Sequence, residues 1–269
     1  MMRMIGNSII KENDEYIDLI VNEYLPEFRQ KHSNEYEIIY QLINLFRICE
    51  KQLEGLEVNR KNKFILASIM QLNKLYQSSV ILFERGLKES ANIIIRSILE
   101  LSLKLISVIH DENFLDILLN DEAIELKKLL NEIKENKFFD MIPEKIVDEY
   151  IKTCEENIDI NIKEKPRVYK MASNNNLKKV YTLQCDYTHQ NTNIVAGIVK
   201  ETDKVCYVDG NFQLEDFKFS VAYLISITII AFPVIINEYL KNDNIKQQYD
   251  LFMENFEKSF KDLIWEVKI

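Results

Sequence analysis

The chain predicts an all-α fold, a multi-helix bundle carrying one small β-hairpin. Three observations support this. Only 5 Gly and 4 Pro occur among 269 residues, too little turn chemistry for a many-stranded sheet and ample room for long helices. Leu, Ile, Lys and Glu are abundant, residues that suit helix cores and surfaces, with Ile the least so. A single stretch, VCYVDGNFQL, sets short β-formers on both sides of Asp209-Gly210, as a two-residue primed turn requires.

The elements follow in order from periodicity and breakers. Residues 12–32 read as a first helix that Pro26 kinks or ends. Asn34 is placed to cap a second helix running to about Leu53, with Ile38, Ile39, Leu42, Ile43, Leu45 and Phe46 inward. A third spans about Lys61 to Glu84, and Gly86 breaks the chain. A fourth, about Lys88 to Ile109, packs back on it as a helical hairpin.

Residues 112–160 are the most charged part and read as a solvated peripheral helix pair, with Glu125–Leu129 as an inner i,i+4 pair and Glu132–Asn136 as an outer one. A loop around Pro166 leads to a short helix, an Asn-rich turn and a helix ending near His189. Glu215 to Leu240 and Asn244 to Val267 close the chain. The reading is one helical domain over 1–269, its core in 34–110 and 166–267 and its peripheral helices in 112–160.

The fourth helix is the most informative. Glu89, Asn92, Arg96, Glu100, Lys104 and Ser107 form a polar stripe on an otherwise apolar surface. At about 100° per residue they occupy roughly one third of the circumference, and the rest has to be buried. The stripe is either a thin solvated edge or a polar face turned into a pocket between helices.

Composition limits the function classes. A net charge of −9 disfavours broad electrostatic binding to nucleic acid, while leaving room for a local basic patch. Cys49, Cys154, Cys185 and Cys206 are scattered without zinc-ligand spacing, so no metal is expected, and no cofactor. The N-terminus lacks the apolar run of a signal peptide, and a cytoplasmic chain with reduced thiols is the expectation. Phe219 to Ile236 is uncharged and near spanning length, but Ser220, Ser226, Thr228 and Pro233 interrupt it and its flanks lack a basic bias. A helix buried at the centre of the bundle is preferred, with no membrane as partner.

Two clusters carry chemistry. His189 stands in CDYTHQNTN beside Asp186, Tyr187, Gln190 and Asn191, and a His with a carboxylate partner serves as general acid or base near neutral pH. The plainer alternative is a helix-end histidine fixed by local hydrogen bonds. Arg96 and Glu100, four apart, share a helix face. Arg96 then binds an anionic group oriented by Glu100, or the two form a structural ion pair. No GxSxG elbow, P-loop, dinucleotide fingerprint, HExxH or Glu-x-x-His repeat occurs.

Three stretches, ILFERGLKESANIIIRSILE, RVYKMASNNNLKKVYTLQCDYTH and YVDGNFQLEDF, together resemble an uncharacterised bacterial all-helical family. Its members carry an Arg-Ser-x-x-Glu helix and, after a Met-Ala segment, a Tyr-x-x-x-Ser-x-x-x-His helix. The matching residues are Arg96, Ser97 and Glu100, then Met171 and Ala172, then Tyr181 and His189, over about residues 65–215. Cys185 replaces the usual Ser, which argues against a mechanism needing a hydroxyl there.

The chain is more distantly similar to the HEPN helical superfamily, many of whose members are metal-independent ribonucleases of toxin–antitoxin and phage-defence systems. Those enzymes hold an Arg four to six residues before a His, and no Arg stands there before His32, His110 or His189.

The resemblance implies a core in which Arg96, Glu100, Tyr181 and His189 converge. On residue chemistry the first expectation is a non-catalytic interaction or sensor module, for which the resemblance implies a defence or toxin system. The alternative is a metal-independent HEPN-like ribonuclease, and enzyme status stays open between the two. In the ribonuclease His189 deprotonates the 2′-hydroxyl and Arg96 stabilises the phosphorane, with Glu100 and Asp186 orienting them. Tyr181 or Tyr187 supplies a hydrogen bond or stacking surface, and Tyr187, Asn191 and Lys104 bind substrate. A homodimer, and a partner protein or an RNA, are the partners these readings allow.

Overall fold

The computed structural model describes residues 3–5, 8–10, 25–136, 143–174, 177–188, 199–202, 205–208 and 217–264. Two short antiparallel pairs, β1 (Arg3–Ile5) with β2 (Ser8–Ile10) and β3 (Val199–Thr202) with β4 (Val205–Val208), accompany a multi-helix all-α assembly. Its helices are α1 (Leu25–Lys31), α2 (Ser33–Glu54), α3 (Arg60–Glu84), α4 (Lys88–His110), α5 (Phe114–Asn136), α6 (Glu144–Asn157), α7 (Val168–Asn174) and α8 (Lys178–Thr188). After the second strand pair come α9 (Phe217–Leu240), α10 (Asp243–Ser259) and α11 (Lys261–Ile264).

The hairpin expected around Asp209-Gly210 is not seen. Asp209 and Gly210 lie outside the described residues, and Val205–Val208 pairs backwards with Val199–Thr202, Val199 opposite Val208. The β-branched residues Val199 and Thr202 offer the same strand a partner on its N-terminal side, and Val205 and Val208 serve either pairing. Of the first expected helix, residues 12–24 lie outside the described residues, and α1 covers Leu25–Lys31 with Pro26 in its first turn, where a missing N–H costs nothing. Asn34 does not cap α2. The helix begins at Ser33, because His32 already accepts from the Tyr36 N–H and donates to the Phe28 carbonyl, running α1 almost directly into α2.

Helix α3 is capped by Asn59, whose side chain accepts from the Asn62 N–H at 2.8 Å. Gly86 then takes φ 68°, the left-handed conformation that turns the chain from α3 into α4. α4 packs on α3 along its length, and α9, α8 and α7 close around it. Ile95, Ile98, Leu99, Leu103, Leu105 and Val108 are sealed from solvent, so the apolar two thirds of α4 lie at the centre of the bundle. α2 and α10 complete the layer on the other side of α3, with Phe46 and Phe232 meeting edge to face at 4.9 Å.

α9 is long and apolar enough to cross a membrane by length and composition, and 67% of its most apolar window is buried within the bundle. Its middle tightens to a 3₁₀ turn at Ile229–Ala231 and widens to a π turn at Ile235–Leu240. Pro233 accounts for both, since it donates no N–H and its ring displaces the carbonyl one turn earlier. The pair α5–α6 packs mainly on itself. Leu129 is not inside: it and Leu126 are 52% and 44% exposed, and Glu125 pairs instead with Lys128 at 2.7 Å. α5 touches α4 little, and Leu126 and Leu129 stay outside its packing against α6.

One buried polar network ties α1, α2 and α3 together. Glu84, 2% exposed, accepts from Arg29 Nε at 2.9 Å, from Arg29 Nη2 at 3.2 Å and from the Tyr36 hydroxyl. Burial and then Glu84 push the Tyr36 phenol up, and the hydrogen bond to Glu84 raises the Arg29 guanidinium, so both stay protonated. His32 lies alongside, its ring 4.5 Å from Phe28 and 5.0 Å from Phe217, with Nδ1 at 3.6 Å from Glu35 Oε2. Its buried Nε2 has no hydrogen-bond partner among the described residues.

Two outcomes follow. Arg29→Met leaves a buried carboxylate short of donors and should cost about 1–3 kcal/mol in urea unfolding. The triple change Arg29→Met, Tyr36→Phe, Glu84→Leu should recover most of that loss, because apolar groups replace every partner at once. Burial also holds His32 below its ordinary value of 6.5, with Lys31 acting in the same direction and Glu35 against it. Below pH 6.5 the unfolded chain therefore binds the proton first, and stability should fall as pH drops through that range. His32→Gln should flatten that part of the stability–pH curve; an unchanged slope would show that other groups set it.

Candidate functional site

The stripe of α4 becomes a half-buried seam, which is neither a solvated edge nor a closed pocket. Glu89 at its start is exposed, Asn92 is buried, and Arg96, Glu100, Lys104 and Ser107 are partly covered. The cover comes from α8 and α7, which lie along this face because the rest of α4 is taken up by α3 and α9. α8 is held in turn by buried Gln184, whose amide donates to the Tyr223 hydroxyl of α9. That bond fixes the rotation of α8 and turns Tyr181 and Cys185 toward the stripe.

Arg96, Glu100 and Tyr181 meet there. Arg96 Nε donates to Glu100 Oε1 at 2.8 Å, one turn along its own helix, and the Tyr181 hydroxyl approaches the same oxygen at 3.5 Å. The Arg96 guanidinium carbon stands 6.0 Å from the Tyr181 ring centroid, at the outer range of a cation–π contact. The hydrogen bond to Glu100 raises the Arg96 guanidinium against a smaller opposing effect of burial, with Cys185 and Tyr181 adding to the rise. Burial raises the Tyr181 phenol, helped by the neighbouring Cys185 thiol and the Glu100 charge and opposed by Arg96. Tyr181 therefore stays a hydrogen-bond donor at neutral pH and does not serve as a base.

The cluster keeps some access to solvent, since Arg96 and Glu100 expose 23% and 30% of their side chains. Lys104 faces another way: its ammonium lies 3.8 Å from Glu122 of α5, which separates it from the Arg96 cluster. Asp186 and Tyr187 belong to the last turn of α8 by backbone, and their side chains lie outside the described residues. His189 and Asn191 also lie outside them. The described part of the expected site is thus Arg96, Glu100 and Tyr181, joined by Cys185. Among the described residues no group of three or more His, Cys, Asp or Glu side chains is placed to hold a metal ion.

The Arg29–Tyr36–Glu84 network was not foreseen. Glu84 lies 55 positions from Arg29, and the one local sign was an acidic residue ending the apolar run VILF. Asn120 was also missed. It accepts from the Asp159 N–H at 2.7 Å and donates to the Ile162 carbonyl at 3.3 Å, pinning the segment that leads to Pro166. Buried Asn in the otherwise apolar run of α5 was its signal.

No curated protein and no solved structure matches the chain. A family model does, over residues 62–204, from the first turn of α3 through α8 and β3. That span holds the stripe, the Arg96–Glu100–Tyr181 cluster and every residue expected at the site. The chain belongs to the family of unknown function DUF5677.

Proposed function

We propose that this chain is a non-catalytic helical interaction or sensor module, in which the α4 stripe sets the position of α8 and of the segment that follows it. One observation carries the reading. Glu100 Oε1 is shared by Arg96 of its own helix and Tyr181 of α8, so the polar groups are engaged with each other across the seam. A partly exposed i,i+4 ion pair of this kind contributes only a few tenths of a kcal/mol. Its value lies in selecting one register between two helices rather than in stabilising the fold. The module works in the cytoplasm, as a homodimer or with a partner protein, and the burial of α9 supports that setting. The link to a defence or toxin system rests on the similarity to HEPN proteins.

A second reading, a metal-independent ribonuclease, has its own support. His189 directly follows Thr188, the last residue of the helix that carries Tyr181, and the cluster it would join is open to solvent. In that reaction His189 takes the proton from a 2′-hydroxyl and the freed oxygen attacks the adjacent phosphorus. The P–O5′ bond then breaks to leave a 2′,3′-cyclic phosphate, water protonates the departing 5′-oxygen, and Arg96 balances the charge on the phosphorane.

Incubating the purified full chain with single-stranded RNA separates the two. The module reading expects wild type and His189→Ala to leave the RNA equally intact. It also expects Arg96→Ala and Glu100→Gln to lower stability by under about 1 kcal/mol. Cleavage by wild type that falls 10²–10⁴-fold in a folded His189→Ala variant, roughly the contribution of a general base, would replace it with the ribonuclease.

A further inference from the structure

The polar stripe continues past Lys104 to Ser107, and there α4 opens onto a cavity of about 280 Å³. Ser107 and Phe114 form one side of it, and Lys165, Arg167, Lys170 and Met171 form the other. It lies 11 residues along α4 from Arg96, roughly 16 Å at 1.5 Å per residue, and is separate from the Arg96 cluster.

Three cations converge on this space in a chain whose net charge is −9. Two carboxylates, Asp111 and Glu164, also stand in its wall. Asp111 accepts the Asn113 N–H at 2.9 Å, and Glu164 meets Lys170 at 3.3 Å in an exposed contact of little worth. Lys165 is 3.8 Å from Glu125, a long and exposed contact of little worth. Arg167 has no side-chain hydrogen bond or ion pair among the described residues. A planar guanidinium with two lysines beside it matches the oxygens of a phosphate group.

The apolar part of the wall says what the phosphate is attached to. Phe114 and the almost fully buried Met171 give this wall an apolar part, suited to a flat or apolar body rather than to a bare ion. Asn120 anchors the chain at Asp159 and Ile162, three residues before Lys165, which shortens the stretch left to be ordered on binding. The volume suits one small molecule.

We propose that this cavity binds a small organic phosphate monoester. Arg167, Lys165 and Lys170 hold the phosphate, and Phe114 and Met171 carry the organic body. The site does not depend on whether the Arg96 cluster is catalytic; for a sensor module it supplies a ligand, sensed at the end of the helix that positions α8.

The test is calorimetric titration of the full chain with adenosine 5′-monophosphate, with adenosine and inorganic phosphate as separate arms. Saturable binding of the monophosphate is expected, at least tenfold tighter than either other probe and weakened by added salt. The double variant Arg167→Gln, Lys170→Gln should lose at least tenfold in affinity while melting, without ligand, at the wild-type temperature. His189→Ala should bind as wild type does, which keeps this result distinct from the RNA experiment. No binding at millimolar monophosphate, or equal affinity in the double variant, would overturn the site. Inorganic phosphate binding as tightly as the monophosphate would overturn the organic body.

Discussion

The burial of α4 is the constraint from which the rest of the structure follows. A helix apolar over two thirds of its surface has to be enclosed, and α3, α9, α7 and α8 enclose it. Each of those helices gains its own place in doing so: the chain turns at Gly86 to lay α4 against α3, and α9 tightens to a 3₁₀ turn before Pro233 while staying packed on both. Interiors of this kind are filled to crystal-like density, so the side chains of Ile95, Leu99 and Leu103 specify where neighbouring backbones run. What remains of the α4 surface is a narrow polar strip, and the chain sets its functional candidates along it.

The polar groups of the bundle fall into two kinds, distinguished by how far water is excluded. Glu84 is almost fully enclosed and needs the Arg29 guanidinium and the Tyr36 hydroxyl to offset the cost of burying a carboxylate. Glu100 retains contact with solvent, so its bonds to Arg96 and Tyr181 are not required to compensate a lost hydration shell. The first network holds α1 against α2 and α3. The second joins α4 to α8 through partly exposed contacts of small energy.

Two candidate sites then lie on one helix. The cluster at Arg96 and Glu100 meets Tyr181 of α8, and the cavity beyond Ser107 is bounded by α7 and the segment that follows the Asn120 contacts. α7 and α8 contact each other as well as α4, so the two places adjoin along these helices. A ligand held between Arg167 and Phe114 would therefore press on the elements that position Tyr181.

Local pattern was enough to define α2, α3 and α4, because long runs of 3.6-residue periodicity, a break at Gly86 and few competing turn signals all agree. It was also enough to place Arg96 and Glu100 on one face, since i,i+4 neighbours meet in any α-helix. The hairpin it set at Asp209-Gly210 is not seen, and among the described residues Val205–Val208 pairs with Val199–Thr202, a partner that Val205 and Val208 suit as well. Contacts between residues far apart were beyond it: Tyr181 reaches Glu100 across 81 positions, and Arg29 reaches Glu84 across 55. Those meetings depend on which helix faces cover one another, a property of the packed whole that no window of sequence contains. Sequence alone determined that α4 must be buried with one polar stripe; tertiary packing decided that α8 and α7 would cover that stripe, and so which side chains meet it.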